Sequence, residues 1–197
     1  MLPAVLFLLQ QGSSNLFDTT ISASGRYGVN CIDKGGTKGG DNNAVNHLID
    51  IKNKKILATL KGFHAIRNEN HGGMEAAYSK DEGMVAILRA GKWTPRNIAV
   101  LSTRTGAQAN VLPKIVADAK GYCSRHKLSS KFVFDVPGAK FEDGRLKLAI
   151  IGQIPKQEEP VIYLGMTYSI SSGKKGLNLK LAACQPIAEK AVWGWGK

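Results

Sequence analysis

Residues 79–87 read SKDEGMVAI. A short polar turn ending in glycine gives way to an apolar run, which is how a hairpin turn feeding a strand is written in sequence. Two other places repeat the pattern, SASGRYGV from Ser22 and FEDGRLKLAII from Phe141. Their glycines, Gly25, Gly83 and Gly144, recur at a spacing of about 60 residues, a candidate internal repeat. A glycine closing such a turn predicts a positive φ at Gly83.

Outward from each turn a second strand-like run follows: HLIDI at His47, NIAVLS at Asn97 and VIYLGMTYSI at Val161. A third is marked in two of the units, where KNKK separates HLIDI from ILATL and SSGKKG separates YSI from LNLKLAA. Polar turns between short β-branched runs are hairpin signals. The expected fold is mainly β (α+β), with antiparallel meanders in about three repeat-like units.

Between the second and third units, NVLPKIVADAKGYCSRHKL changes period. Leu112, Ile115, Val116, Ala119, Tyr122, Cys123 and His126 recur at three- and four-residue spacing, while Lys114, Asp118, Lys120 and Arg125 take the other face. Asn110 is placed to cap the start, and Pro113 falls in the first turn, where its missing donor costs little. One amphipathic helix near residues 111–127, packed on the sheet, is predicted. Cys123 and His126 then belong on or beside the buried stripe, so their C-x-x-H spacing reads as core.

The chain has 197 residues and 21.2 kDa, and folding at that size buries about 70% of the surface the unfolded chain exposes. With 43% hydrophobic and 21% charged residues it is neither disordered nor membrane-spanning in composition. The 27 Lys plus Arg against 15 Asp plus Glu leave a formal charge of +12, which suits nucleic acid, anionic envelope polymers or acidic lipid. The cations are scattered rather than gathered in a tract, from Lys34, Lys38, Lys52, Lys54, Lys55 and Lys61 to Lys114, Lys120, Arg125, Lys127, Lys131, Lys174, Lys175 and Lys180.

Residues 2–9 are apolar, too few for a transmembrane helix, and no Lys or Arg precedes Arg26 as an export signal ordinarily requires. Residues 1–19 therefore read as an atypical signal or a first core element, and residues 20–197 as one β-rich domain; exported and cytoplasmic locations both fit. Cys31, Cys123 and Cys184 are too few and too far apart for a disulfide framework.

SASGRYGV with LIDIKNKKILATL, and AAYSKDEGMVAIL with RNIAVLS, resemble blade segments of β-propeller proteins. The longer pattern NHGGMEAAYSKDEGMVAIL with GKWTPRNIAVL is similar to a group of uncharacterised, often exported bacterial proteins that carry His-Gly-Gly and Lys-Trp-x-Pro. The resemblance spans roughly residues 20–105 and implies fold rather than activity. Units of about 60 residues exceed the usual 40 to 50 of a blade, and a helix interrupts them, so a closed propeller is not expected.

In NHGGMEA a catalytic reading makes His71 a general base, with Glu75 or Asp81 as its orienting acid. An oxyanion hole also needs a strained G-x-S-x-G turn, which this chain lacks. Gly72 and Gly73 are better read as a turn into a strand at Met74. His47, His64, His71 and His126 lack the short paired spacing of zinc ligands, and neither G-x-x-x-x-G-K-[ST] nor G-x-G-x-x-G occurs. GTKGGDNN, residues 36–43, reads as a hairpin loop. No cofactor or metal is expected.

The binding candidates are GKWTPR, with Trp93 flanked by Lys92 and Arg96, and the tail AVWGWGK, with Trp193 and Trp195. Exposed tryptophan beside cations can stack on a sugar or base while the cations meet an anion. The sequence reading is a non-enzymatic binding or structural module that engages an anionic surface, an anionic polymer or a protein partner. Its competitors are a hydrolase-like enzyme using His71 and a nucleic-acid-binding protein.

Overall fold

The computed structural model describes residues 16–33, 44–65, 73–90, 95–156, 161–173, 176–192 and 194. A 3-10 turn at Asp18–Thr20 precedes β1 (Tyr27–Asp33), β2 (Ala44–Asp50) and β3 (Lys55–Thr59). Then come β4 (Gly73–Tyr78), β5 (Met84–Ala90), β6 (Pro95–Ser102), β7 (Gln108–Asn110) and the helix α1 (Leu112–Arg125). The chain continues through β8 (Val133–Glu142), β9 (Arg145–Gln153), β10 (Val161–Gly173) and β11 (Gly176–Pro186) to a single-turn helix α2 (Glu189–Val192).

Each described strand pairs antiparallel with its sequence neighbour, giving three separate meanders, β1-β2-β3, β4-β5-β6-β7 and β8-β9-β10-β11, none closed into a barrel. The first gains the start of a further strand, since Leu16 bridges Asn30 and the Phe17 N–H donates to the Val29 carbonyl at 3.0 Å. The fold is therefore mainly β in three units with one packed helix, as the turn pattern predicts.

Burial arranges these meanders in layers. In β5, Val85 and Ile87 join one core with Val29, Cys31 and Leu48 of the first sheet, while Ala86 and Leu88 join another with helix and third-sheet residues. In β6, Ala99 and Leu101 face the first core, and Ile98 and Val100 the second. The middle sheet is thus buried on both faces, which is why MVAIL and NIAVL are continuous apolar runs. The β9 run RLKLAII starts by alternating, with Leu146 and Leu148 buried, Arg145 exposed and Lys147 half-buried on the outer face, before Leu148, Ala149 and Ile150 are buried in succession.

Two strands are hidden from sequence pattern. β8 carries Pro137 and Gly138, and its register to β9 jumps between Asp135 and Gly138, a bulge that an edge strand tolerates. β7 has only three residues. Its Gln108 reaches across to the first sheet, donating from Nε2 to the Thr59 carbonyl at 2.8 Å. No helix among the described residues is long and apolar enough to cross a membrane.

The first two repeat turns share one hydrogen-bond pattern. The Ser22 N–H donates to the Tyr27 carbonyl, the Gly25 N–H to the Ser22 carbonyl and the Tyr27 N–H to Ser22 Oγ. Ser79, Glu82 and Met84 repeat these three bonds in order. The matching left-handed residues are Gly25 at φ 70° and Glu82 at φ 51°. The expectation of positive φ at Gly83 is corrected by one residue: the chain turns at Glu82, and Gly83 follows it. The third turn is a two-residue hairpin through Asp143 and Gly144, at φ 52° and 70°.

Glu82 adopts this conformation because its surroundings hold it there. Its carboxylate accepts from the Ser24 N–H at 2.9 Å, Ser24 Oγ at 2.6 Å and Ser22 Oγ at 3.2 Å, while Thr103 Oγ1 donates to its carbonyl at 2.7 Å. One repeat turn is thereby tied to the next, and the Ser24 hydroxyl, with the other donors, lowers the Glu82 carboxyl below its ordinary 4.5. Since the folded value lies below the unfolded one, this stabilisation is complete above about pH 5 and is lost as the pH falls through the folded value. Glu82→Gln should cost about 1–2 kcal/mol at pH 7 in urea unfolding, with the gap to the parent closing below about pH 4.

Gly106 lies at φ 71°, and a Cβ there would stand 2.4 Å from the Leu57 carbonyl oxygen. A Cβ on Gly83 would meet only Asp81 and Arg104 side-chain atoms, the nearest at 2.9 Å, on two exposed residues able to move. Gly106→Ala should therefore cost about 2 kcal/mol or more, and Gly83→Ala about 1 kcal/mol or less, by thermal unfolding.

Candidate ligand groove at the end of the helix

Helix α1 starts where the Leu112 N–H donates to Asn110 Oδ1 at 3.2 Å, with Pro113 in its first turn. Ile115, Ala119, Tyr122 and Cys123 form its buried face. His126 departs from the predicted stripe: it is exposed as the C-cap, its ring stacked on Tyr122 with centroids 4.2 Å apart. A tie to the third sheet comes from the fully buried Tyr168, whose hydroxyl donates to Asp118 Oδ2 at 2.9 Å, while Lys114 pairs with the same oxygen at 3.1 Å. Burial, the Asp118 hydrogen bond and its charge hold the Tyr168 phenol far above the usual range.

The helix ends in a Schellman turn: the Leu128 N–H donates to the Cys123 carbonyl at 2.9 Å and the Lys127 N–H to the Ser124 carbonyl at 3.2 Å. The position after the C-cap is left-handed, and here it is Lys127 at φ 56°, where glycine is the ordinary occupant. The chain then passes through Ser129 and Ser130 to Phe132 and β8, which bring Phe132 and Phe134 under the helix end.

Between these segments lies a groove of about 410 Å³ lined by Lys120, Cys123, Ser124, Lys127, Leu128, Ser129, Ser130, Phe132 and Phe134. Cys123, Phe132 and Phe134 are buried and make an apolar floor. Burial pushes the Cys123 thiol up, so it acts as a small apolar group and not as a thiolate. Lys120 and Lys127 stand exposed at the rim, with Arg125 and Lys131 exposed nearby. Residues 120–131 carry 4 cations and no carboxylate. The site is cationic at its mouth, apolar below and rich in hydroxyls between.

Of the predicted site residues, His71, Lys92, Trp93, Trp193 and Trp195 lie outside the described residues. Arg96 lies in β6 at a register shift, between Pro95 opposite Ala90 and Asn97 opposite Arg89 of β5. Glu75 is exposed on β4. Asp81, in the turn before β5, accepts from Arg104 Nη2 at 2.7 Å and from Ser79 Oγ at 2.7 Å. Among the described residues no group of His, Cys, Asp and Glu is arranged to hold a metal ion.

The groove was missed because its signal is only a cation-rich stretch after a helix; the aromatic floor arrives from a strand whose Pro137 and Gly138 obscure it. A second polar feature also escaped. Arg89 and Asn97 face each other across β5 and β6, only 6% and 5% exposed, toward the core shared with the first sheet. A further cleft of about 580 Å³ separates the 79–81 turn from residues 141–144. Of its three carboxylates, Asp81, Glu142 and Asp143, the first is engaged by Arg104 and the second by Lys140 and Lys147, which suits a junction between sheets.

No protein-family model, curated protein or solved structure matches this chain.

Lys127→Gly should raise stability by about 1 kcal/mol in urea unfolding, because glycine adopts the left-handed position after the C-cap without the steric cost lysine bears.

Proposed function

We propose that the protein is a non-enzymatic binding module that takes an anionic ligand at the end of α1. The observation that carries this reading is the groove itself, where Lys120 and Lys127 stand at the mouth of a concave site that no described carboxylate lines. Its size falls within the ordinary range of small-molecule sites, about 300–1,000 Å³. Exposed lysines with no carboxylate among the groove-lining residues can meet an anion, and the apolar floor lowers the local dielectric and strengthens that attraction. Arg125 and Lys131 extend the same field around the helix end.

A hydrolase-like reading gains less support. Asp81, one of its two orienting acids, is engaged by Arg104 and Ser79, and Glu75 stands on an exposed strand face. Nucleic acid would require aromatic faces open for stacking along a cationic track. Phe132 and Phe134 instead lie on the groove floor tilted at 40° to one another, with no flat face open for stacking.

Heparin and a labelled single-stranded oligonucleotide serve as general anion reporters over a salt series. The double reversal Lys120→Glu, Lys127→Glu should weaken both by about tenfold or more at 50 mM salt, as loss and reversal of two contacts implies. The same reversal at Lys52 and Lys54, in the β2–β3 turn, should change affinity far less. Equal losses from the two pairs would show the charge to be a diffuse surface and overturn the reading.

A further inference from the structure

Resting on that reading, we infer that the groove's own ligand is a monomeric long-chain carboxylate, its alkyl chain laid on Cys123, Phe132 and Phe134 and its head held between Lys120 and Lys127. The groove is built in two chemically distinct zones, and the ligand must match both. A compact anion such as inorganic phosphate would satisfy the rim and leave water in the groove above its apolar floor. A neutral alkane would fill the floor and leave the cations without a partner. An amphiphile with a negative end satisfies both zones at once.

The shape of the floor favours an alkyl chain over a planar ring. Phe132 and Phe134 are tilted at 40° to one another with centroids 6.3 Å apart, so they offer a ridged wall and not a flat stacking face. A chain that bends at each methylene conforms to such a wall, whereas a nucleobase does not. Leu128, at the lip, is one of three large hydrophobic side chains exposed among the described residues, 39% accessible, and a chain leaving the floor would cover it. The hydroxyls of Ser124, Ser129 and Ser130 supply further donors for a carboxylate oxygen at the mouth.

Lys127 adds a thermodynamic sign. It holds the left-handed position that glycine ordinarily fills, so its cation is kept at the rim at a cost to stability. A residue whose replacement stabilises the fold but weakens binding separates the ligand role from any structural one.

The full-length protein is titrated calorimetrically with butanoate, octanoate, decanoate and dodecanoate, each below its aggregation threshold, and with decanol and decyltrimethylammonium as head-group controls. One ligand per chain is expected, with affinity rising about fourfold per added methylene until the groove is filled. Decanol and decyltrimethylammonium should bind at least about tenfold more weakly than decanoate. Lys127→Gly should lose several-fold in decanoate affinity while unfolding at a higher temperature than the parent. Ser124→Phe, which places a ring at the lip from an exposed helix position, should abolish the chain-length dependence.

Affinity independent of chain length, with the carboxylate preference kept, would overturn the alkyl chain and leave the anion reading standing. Equal binding of decanoate and decyltrimethylammonium, or several ligands per chain, would reduce the groove to a detergent-like surface and overturn the inference. Association with anionic vesicles or with oligonucleotide but with no monomeric carboxylate would likewise overturn it, assigning the cations to a membrane or a nucleic acid. Loss of all anion binding, heparin included, would overturn both readings together.

Discussion

The structure depends on burying the middle sheet from both sides. A β-sheet with one apolar face needs one partner; a sheet apolar on both faces needs two, and the two cores exist because the apolar runs of β5 and β6 leave neither face to water. The first meander covers the face of Val85, Ile87, Ala99 and Leu101, and the third meander with α1 covers the face of Ala86, Leu88, Ile98 and Val100. Neither outer sheet could be removed without exposing a continuous apolar surface large enough to drive association.

Hydrophobic burial is non-directional, so it does not by itself fix how the layers align. Polar contacts at the strand ends supply direction. Glu82 ties the second turn to the first, Tyr78 donates to the Thr20 carbonyl at 2.9 Å, and the Tyr27 and Tyr78 rings stack between them. Asp50, buried at the end of the first sheet's central strand, is raised by desolvation, yet donors from Asn53 and Arg26 outweigh this and its carboxyl titrates below the usual range. Tyr168 and Asp118 do the corresponding work for the helix. These few directed bonds turn a stack of sheets into one registered arrangement.

The groove at the end of α1 follows from the same construction. A helix wedged between two sheets covers the sheet beneath most of its length and stops short at its end, where Phe132 and Phe134 continue beyond it. The gap is a consequence of helix length set against strand length, and the exposed Lys120 and Lys127 border it.

The chain's local chemistry determined a great deal unaided. The three polar turns, the period-two and continuous apolar runs and the change to helical spacing at 112–123 specify the meanders and the helix, because each depends on contacts within a few residues. The shift of the left-handed residue from Gly83 to Glu82 shows the limit, since the glutamate is held in that conformation by Ser22, Ser24 and Thr103, brought to it from other turns. β8 was hidden for a related reason: Pro137 and Gly138 weaken its local signal, and pairing with β9 carries it through. Only the tertiary structure decided which apolar faces meet and where a helix end leaves a cationic, apolar-floored groove, because such a site joins residues from separate elements whose positions are set by packing.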